Sequence, residues 1–572
     1  MKILRVDMST NTIRIEPSPK DLAEFGGRGL TAEIISREVP PTCDPLGPDN
    51  KLVLGMGLLA GTIFVNSSRI SVGAKSPLTG GIKESNAGGT IGTALGKTGL
   101  KAIIIEGGPQ SGEQLILKID KEGNGSFFSA AEYRGLRTYA LMERLTAAHG
   151  DKIAVLCIGP AGEQMLASAS IQASDVDGRP CRAAGRGGLG AVMGSKGLKA
   201  IIVETGGKHS PAIADPDAFK TSLKNYSLAI KAHPVSGQGM PKYGTASMVA
   251  PVNSVGGFPC FNARQGTMEG WEKISGEAMI EIIEKRGGNP THRGCSQCII
   301  RCSNVYNDKD GKYMTSSLEY ETIWAMGGMT GIADLDTIAR LDYLCDDIGL
   351  DTMNTGVAVA VAMDSGYKEF GDAQAAIDMV EAVADGTKIG KLIGTGPTAV
   401  GKHFNNPRVP VVKNQSIAAY DPRPMPANGV TYATSPMGAD HTAANLVGEY
   451  LGGALKVDSP EGHVEASKEL QPVMAFVDCT GICLFGAFAL ATPEGGKAFF
   501  SSISALLGRP FGPGDMMEMG SRCLKTEHSF NRNAGLTKDD DRLPEFFRTE
   551  PLAPTNTTFT ITDSDLDSVF GD

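Results

Sequence analysis

Three cysteines within eight residues are the strongest chemical signal in the chain. Cys295, Cys298 and Cys302 lie in the run THRGCSQCIIRCSNVY. Thiolates bind soft metals, and an iron–sulfur cluster needs four of them within a small volume. A short loop can supply three of these ligands, and the fourth must come from another part of the chain. The spacing predicts an iron–sulfur cluster, with Cys483 as the predicted fourth ligand and Cys479 as its rival.

Two alternatives to this cluster stay open at the level of the sequence. A structural zinc site normally combines two Cys-x-x-Cys pairs, and this chain has only one. The three thiols could also be buried without any metal. The remaining cysteines show no ligand spacing, and we expect most of them to be small buried side chains: Cys43, Cys157, Cys181, Cys260, Cys345, Cys479 and Cys523.

Two pairs of similar segments lie far apart in the chain. GGTIGTALGKTGLKAIIIEGG at 88–108 matches GGLGAVMGSKGLKAIIVETGG at 187–207, and each predicts a glycine-rich loop, a short helix and a strand. DDIGLD at 346–351 (the first Asp motif) matches DCTGIC at 478–483 (the second Asp motif). We interpret the doubling as a pseudo-twofold site for two copies of a similar ligand. A duplication that serves only packing is the alternative.

Two glycine-rich segments are candidates for anion binding. Residues 185–190, GRGGLG (the second glycine loop), fit the dinucleotide pattern Gly-x-Gly-x-x-Gly, but no buried strand precedes them, so we reject a nicotinamide site. Free backbone N–H groups in such a loop still favour a phosphate. Residues 85–89, SNAGG (the first glycine loop), are predicted to form a similar loop. Two tight turns without a ligand are the alternative.

The elements that must position these motifs change character along the chain. Residues 1–207 combine many glycines with short β-like runs and form the first predicted domain. Residues 208–410, with the three cysteines and the first Asp motif, and residues 411–572, with His441 and the second Asp motif, carry apolar residues at helical spacing. We therefore predict an α+β fold, in which a β-rich N-terminal domain precedes two mainly helical domains. The tail from Leu543 is predicted to be extended and polar, with little core.

Composition and charge exclude several kinds of partner. The net charge is −10 and no basic face is visible, which argues against nucleic acid as a partner. There is no run of about 18 apolar residues and no signal-peptide pattern, so we expect no membrane span and a cytoplasmic location. Eleven cysteines without an export signal favour metal or redox use over disulfide bonds.

Eight segments in this order resemble the aldehyde:ferredoxin oxidoreductase family of tungsten enzymes, over about residues 3 to 550. They are RISVGAKSPLTGGIKESNAGG at 69–89, RAAGRGGLGAVMGSKGLKA at 182–200, the cysteine run, LEYET at 318–322, the first Asp motif, AYDPR at 419–423, TSPMGADH at 434–441 and the second Asp motif. The resemblance implies two molybdopterin cofactors on the N-terminal domain. Their dithiolenes would hold one tungsten (or molybdenum) atom, and a magnesium ion would bridge their phosphates.

The resemblance also implies roles for individual residues. Cys483 matches the fourth ligand of a [4Fe–4S] cluster. The matches to cofactor-binding residues are Arg69, Asn86, Gly88, Ala184, Gly185, Arg186, Gly187, Asp346, Leu350, Asp351, Asp478 and Leu484. Among these, the backbone carbonyls of Asn86 and Ala184 would reach the magnesium ion, and the two aspartates that open the Asp motifs would accept paired N–H bonds from pterin rings. Near the metal, the resemblance points to Tyr420, to His441 and to either Glu319 or Glu321.

The function implied by the resemblance is oxidation of an aldehyde to a carboxylic acid, with electrons passed to ferredoxin or a ferredoxin-like subunit. The assembly stays open between a homodimer and a hetero-oligomer. One alternative is the catalytic subunit of a larger complex that reduces an aromatic acyl-CoA, and another is an electron-transfer protein that has lost its pterins. Ser316-Ser317 stands where the family often has Gly-Pro, and the sequence stops soon after 543–547, where many relatives continue. We expect both departures to affect substrate range or assembly.

Overall fold

The computed structural model describes residues 1–109, 112–457, 459 and 461–571. Two six-stranded sheets form its N-terminal part. Their strands are β1 (Lys2–Asp7), β2 (Thr12–Pro17), β3 (Leu52–Met56), β4 (Ile70–Lys75), β5 (Ile82–Ala87), β6 (Leu100–Glu106), β7 (Leu115–Ile119), β8 (Gly125–Ser129), β9 (Ile153–Cys157), β10 (Ile171–Ala173), β11 (Arg182–Ala184) and β12 (Leu198–Glu204).

The two sheets have equivalent centres. The first has the order β2-β1-β6-β3-β4-β5 and the second the order β11-β10-β9-β12-β7-β8. Strand β6 is parallel to β1 and antiparallel to β3, while β12 is parallel to β7 and antiparallel to β9. Each of these two strands follows a short helix, Ile91–Gly96 or Leu189–Ser195, as the repeated segments predict. Both strands are apolar and buried, which is typical of strands covered on two faces.

The rest of the chain is mainly helical, and the predicted α+β fold is confirmed. The helices are Gly27–Glu38, Thr138–His149 and Pro160–Glu163 in the N-terminal part, followed by Pro216–Ala232, Met240–Tyr243, Val249–Ser254, Gly276–Lys285, Tyr320–Ile323, Leu335–Ile348, Thr352–Asp364, Ala373–Ala384, Lys388–Thr395, Pro397–Phe404, Pro426–Thr434, Val447–Leu451, His463–Thr480, Leu484–Ala487, Pro493–Leu507, Pro513–Asn533, Phe546–Thr549 and Asp563–Asp567. Small sheets comprise Asn289–His292, Ser303–Asn307 and Tyr313–Ser316, and Val411–Val412 with Gln415–Ser416.

One large hydrophobic core joins both helical segments. It includes Trp324 and Ile348 from the first predicted helical domain and Tyr420 and Tyr432 from the second. The boundary at residue 410 therefore stays a prediction. Among the described residues, no single helix has the length and hydropathy to span a membrane; His463–Thr480 and Leu484–Ala491 meet the criteria only as a pair, and that pair is bent by 118°.

Two details of the predicted fold are wrong. The tail is not coreless, because Phe546, Phe547 and Phe559 are buried and belong to the large core. Phe546 and Phe547 are adjacent, and proline and polar residues separate them from Phe559, so no helical or strand period reveals them. The first glycine loop is mostly strand, since its first three residues end β5 and pair with β4; only Gly88 and Gly89 lie beyond the strand.

Candidate metal and cofactor site

The side chain and backbone of Asn66 hold two of the predicted cluster ligands together. The Cys483 N–H donates to the Asn66 carbonyl at 2.7 Å, and the Asn66 N–H donates to the Gln297 carbonyl at 3.0 Å. The Asn66 side-chain amide lies 3.6 Å from the Cys298 sulfur. Residues that are 185 positions apart, Cys298 and Cys483, are thereby brought to one loop of the N-terminal domain.

Cys295 and Cys302 lie at the same place. The Gly89 N–H donates to the Cys295 sulfur at 3.2 Å. At Gly88, a Cβ atom would lie 2.7 Å from that sulfur, so the cysteine approaches the backbone as closely as glycine allows. The mostly buried Arg182 guanidinium interacts electrostatically with both cysteines. Arg182 was not predicted as a site residue, although it opens the RAAGRGG segment.

The four thiols form a partly buried group that lacks the compactness of a zinc site. Burial raises the pKa of Cys298, Cys302 and Cys483, and the neighbouring thiols add to each shift. No three of these sulfur atoms lie within 4.8 Å of one another in the described part of the chain. A tetrahedral zinc ion with Zn–S bonds of about 2.3 Å would need sulfur–sulfur distances of about 3.8 Å. The spacing suits a larger metal group.

The two Asp motifs have the same local structure. Each ends one helix and begins the next. Gly349 (φ +80°) and Gly481 (φ +78°) terminate the first helix in the left-handed region, which favours glycine. Asp351 and Cys483 then occupy the N-cap position of the second helix. The last position of the motif is therefore a carboxylate in one copy and a thiol in the other.

Each motif also contacts the N-terminal domain through backbone hydrogen bonds. In the first motif, the Asp351 N–H donates to the Ser168 carbonyl at 2.9 Å, and Leu350 forms a β-bridge with Ala169. In the second motif, the Cys479 carbonyl accepts a hydrogen bond from the Leu58 N–H at 3.1 Å. The two contacts involve the two halves of the domain, one for each sheet. This arrangement agrees with the pseudo-twofold site inferred from the repeats.

A buried ion network fixes Asp478 in the second motif. Arg28 lies 3.3 Å from the Asp478 carboxylate and makes a bidentate pair with Glu527 at 2.8 and 2.7 Å. Burial raises the pKa of Asp478 to about 6, although Arg28 and Arg69 oppose the shift. Neither Arg28 nor Glu527 was predicted. They are 499 residues apart, and no local spacing could have identified the pair.

We expect Glu527→Gln to destabilise the fold, because it leaves the buried Arg28 guanidinium without a charged bidentate partner. Removing one partner of a buried ion pair typically costs about 3–5 kcal/mol. The thermal unfolding midpoint should fall by several degrees. The matched control is Glu24→Gln, which breaks a bidentate pair with Arg509 at the surface. An exposed pair contributes at most about 1 kcal/mol, so equal losses in both variants would contradict the expectation.

Arg182 also interacts electrostatically with the first motif. Burial raises the pKa of Asp346 well above its usual range, and Asp342 adds to this shift while Arg182 opposes it. Burial likewise raises the pKa of Asp342 to about 7. Arg182 is therefore close enough to act on these carboxylates as well as on Cys295 and Cys302. Asp351 pairs with Arg186 of the second glycine loop at 3.4 Å.

The two glycine loops are adjacent. The Arg186 N–H donates to the Ser85 hydroxyl at 3.2 Å, and the Arg186 side chain donates to the carbonyls of Ala439 and Ser416. In the first loop, Arg69 contacts the Asn86 side chain and donates to the Asn86 carbonyl at 2.9 Å. Ala184, at the end of β11, pairs with Ile171.

The structure separates the two candidate glutamates. The Oε1 atom of Glu321 lies 3.4 Å from Nε2 of His441, and the Tyr420 and His441 ring centres are 6.0 Å apart. Glu319 instead accepts a hydrogen bond from Thr245 at 2.6 Å and pairs with Arg182 at 3.4 Å. Glu321 is therefore placed with His441 and Tyr420, whereas Glu319 faces the cysteine side. Burial raises the pKa of Glu321, and His441 opposes the shift.

Several buried polar atoms of this region have no hydrogen-bond partner among the described residues. They are Glu84 Oε1, Arg182 Nε, Glu321 Oε1 and His441 Nδ1. Each such atom costs about 1–3 kcal/mol when it stays unpaired. Burial and the nearby Asp478 raise the pKa of Glu84 to about 8. With the tight backbone at Gly88, these atoms fit a polar ligand that approaches the backbone closely and supplies donors and acceptors.

Comparison with protein families gives one result over most of the chain. The family model of the N-terminal domain of aldehyde ferredoxin oxidoreductase matches residues 3–205, and the model of its domains 2 and 3 matches residues 221–569. A tungsten-containing aldehyde ferredoxin oxidoreductase of Pyrococcus furiosus is 35% identical over 574 residues, which cover 96% of this chain and 92% of that protein. The protein of the same description from Thermococcus kodakarensis is 35% identical over 576 residues, with the same coverage.

More distant similarity extends to proteins with other descriptions. The chain is 26% identical over 606 residues to an aliphatic sulfonate oxidoreductase, WOR-like subunit, of Pyrococcus furiosus, covering 97% of this chain and 90% of that one. A solved structure, the active site complex BamBC of benzoyl coenzyme A reductase in complex with 1,5 dienoyl-CoA, has a TM-score of 0.81. The match covers all of this chain and 93% of the chain in that structure, at 20% sequence identity, so this similarity shows the fold alone.

Proposed function

The chain belongs to the aldehyde ferredoxin oxidoreductase family and is an oxidoreductase, and from this premise we propose that it oxidises an aldehyde to a carboxylic acid. The family implies a tungsten-pterin cofactor, and the names of the relatives imply ferredoxin as the redox partner. The observation that carries the proposal is the partly buried pair Glu321 and His441 beside Tyr420, in which Glu321 Oε1 and His441 Nδ1 have no hydrogen-bond partner among the described residues. Molybdenum in place of tungsten stays open, because the cofactor sulfurs rather than protein side chains would bind the metal.

The residues present fit two pterin cofactors. Asp346 and Asp478 would accept N–H bonds from the two pterin rings, with Leu350, Asp351 and Leu484 beside them. Asp346 is buried and Asp478 is 19% exposed, which suits paired hydrogen bonds to a planar ring edge. The phosphates would lie at the two glycine loops, between Arg69, Asn86 and Gly88 on one side and the residues 184–187 on the other. The carbonyls of Asn86 and Ala184 would be the ligands of a magnesium ion.

Cys295, Cys298, Cys302 and Cys483 would hold a [4Fe–4S] cluster. The charge of the iron atoms favours thiolates that burial otherwise keeps protonated. Cys483 ends the same motif that Asp478 begins, so cluster and cofactor would be joined by one turn of chain. This connection would give electrons a short route between the two groups and onward to ferredoxin.

Side chains of the chain itself would bind the substrate and accept its protons. Oxidation of an aldehyde adds the oxygen of one water and releases two protons and two electrons, and the bound metal would accept the electrons. Glu321, with its raised pKa, would accept a proton from the attacking water. His441 would donate a hydrogen bond to the substrate carbonyl oxygen, and Tyr420 would border the same space. Tyr420 is buried, and the low exposure of Glu321 and His441 would limit the access of bulk water.

The proposal is tested by anaerobic expression in the presence of tungstate or molybdate, followed by metal and pterin analysis. We expect about four iron atoms and one tungsten or molybdenum atom per chain, together with pterin. An aldehyde panel with an artificial dye as electron acceptor then tests the reaction. Iron without tungsten or molybdenum would overturn the proposal. A loaded protein that is inactive on aldehydes but reduces an aromatic acyl-CoA would support the alternative instead.

A further inference from the structure

Lys83 of strand β5 is buried with fewer partners than its charge requires. Its side chain is 1% exposed, and its ammonium group forms one hydrogen bond, to Asp440 Oδ2 at 3.0 Å. An ammonium group has three N–H donors, and burial of a charge is costly unless these are paired. Two donors of Lys83 are therefore without an acceptor among the described residues.

The other fully buried lysines show what a satisfied ammonium group looks like in this fold. Lys196 donates to three backbone carbonyls, those of Gly47, Pro48 and Gly107, at 2.8–3.4 Å. Lys199 donates to a backbone carbonyl at 2.9 Å and pairs with a carboxylate at 2.6 Å. Among the described residues, Lys83 contacts neither a carbonyl nor a second carboxylate. Of these three fully buried lysines, it is the one with the fewest acceptors.

Lys83 contacts both the second glycine loop and the turn that contains His441. A Cβ atom at Gly187 would lie 2.4 Å from Cγ of Lys83, so the lysine stem crosses the loop where only glycine leaves room. Gly187 also has φ +84°. At the other end, Asp440 precedes His441 and accepts hydrogen bonds from the Thr442 backbone and hydroxyl at 3.0 and 2.7 Å.

Arg186 of the same loop has more partners than Lys83. Arg186, in the same loop, already donates to the carbonyls of Ser416 and Ala439 and pairs with Asp351. Although burial opposes it, Lys83 and Arg186 together hold the pKa of Asp440 well below its usual range. Asp440 is therefore an anion that accepts one N–H of Lys83, and the other two have no acceptor among the described residues.

We propose that Lys83 binds the cofactor, with its two remaining N–H groups donating to an anionic oxygen of the pterin held at the second glycine loop, and that Asp440 fixes this contact beside His441. The inference rests on the proposed function, and it adds a residue that the family resemblance did not supply. A phosphate oxygen is the suitable acceptor, because lysine binds phosphate as a point charge. Cofactor binding and the position of the His441 turn are then linked through one ion pair.

The test compares Lys83→Met, Asp440→Asn and the double variant Lys83→Met/Asp440→Asn after anaerobic expression with tungstate. The double variant removes both charges, so no unpaired buried ion destabilises the fold. The matched control is Lys413→Met/Asp541→Asn, which removes a buried lysine–aspartate pair whose lysine also donates to the Ala433 carbonyl. Tungsten, pterin and iron per chain are measured together with the thermal unfolding midpoint.

We expect Lys83→Met and the double variant to lose most of the pterin and tungsten, on the order of tenfold for one lost charge-assisted contact, and to keep their iron. Asp440→Asn and the control pair should retain the cofactor. Equal cofactor content in Lys83→Met and Asp440→Asn would overturn the inference, since a purely structural ion pair is broken equally by either change. If the double variant contains as much cofactor as the unaltered protein, the role of Lys83 is excluded, while the proposed function is not affected. Absence of pterin from the unaltered protein would overturn the proposed function as well.

Discussion

Replacing Glu321 with glutamine is expected to reduce kcat for aldehyde oxidation by about 10²–10⁴-fold, the usual contribution of a positioned general base. Glutamine keeps the shape of the side chain and can still accept the N–H of Ala419, which now donates to Glu321 at 2.9 Å. It cannot accept a proton from water. Tungsten, pterin and iron contents should stay unchanged, so the loss is measured per loaded site with a saturating aldehyde and an artificial acceptor. A kcat within about threefold of the unaltered enzyme would exclude Glu321 as the base.

The pH dependence of kcat provides a second test of Glu321 as the base. Because burial raises the pKa of Glu321, its carboxylate is protonated at a pH where an exposed glutamate is still ionised. A base works only in its ionised form, so kcat should fall as the pH drops through this raised pKa. The acid limb should therefore lie above the ordinary glutamate pKa of about 4.3. In Glu321→Gln this limb should disappear.

Glu319→Gln is the matched control, because it makes the same chemical change two residues away. Glu319 already accepts a hydrogen bond from Thr245 and pairs with Arg182. We expect its replacement to change kcat by less than about tenfold and to leave the acid limb in place. A large loss in Glu319→Gln with little change in Glu321→Gln would exchange the roles of the two residues.

The choice between these glutamates shows where sequence reasoning ends. The short-range patterns predicted the cysteine loop, the repeated helix–strand units and both Asp motifs, since each depends on neighbours along the chain. Glu319 and Glu321 are two residues apart and differ in what packs against them. The segment that contacts Glu321 lies about 100 residues further on, at Ala419 and Tyr420. No pattern within LEYET carries that information.

The last three residues of strand β5 were predicted as part of the first glycine loop for a related reason. Its sequence, IKESNA, alternates charged and polar residues, which is typical of an exposed segment. In the structure, Lys83 and Glu84 are 1% and 5% exposed. Hydropathy does not reveal burial against partners far away in the chain or against a ligand. Local rules are expected to fail at functional sites, and β5 is such a failure.

Replacing Cys483 with alanine is expected to remove at least one iron atom from about four per chain, because a [4Fe–4S] cluster needs four ligands. Electron transfer to ferredoxin should fall more than the reduction of the cofactor by an aldehyde, since the cluster lies after the cofactor on the proposed route. Iron and acid-labile sulfide per chain, together with the rate of ferredoxin reduction, measure both effects. Retention of all four iron atoms would exclude Cys483 as a ligand.

Cys479→Ala is the control that decides between the two candidate fourth ligands. Both cysteines lie in the second Asp motif, but the Cys479 sulfur accepts a hydrogen bond from the Gly29 N–H at 3.2 Å and contacts Cys523. It therefore faces the helix Gly27–Glu38, whereas Cys483 lies with Asn66 and Cys298. We expect Cys479→Ala to keep about four iron atoms. If it loses iron and Cys483→Ala does not, the proposed ligand set is wrong.

The two substitutions also separate the two functions assigned to the second Asp motif. Asp478 is fixed by Arg28, and the ring contact proposed for it does not involve the Cys483 thiol. Cys483→Ala should therefore lose iron while it retains pterin and tungsten. Loss of all three together would mean that the cluster supports the fold of the motif, and that the cofactor depends on this support. Loss of iron alone would leave the motif as a rigid turn with two independent ligands, one at each end.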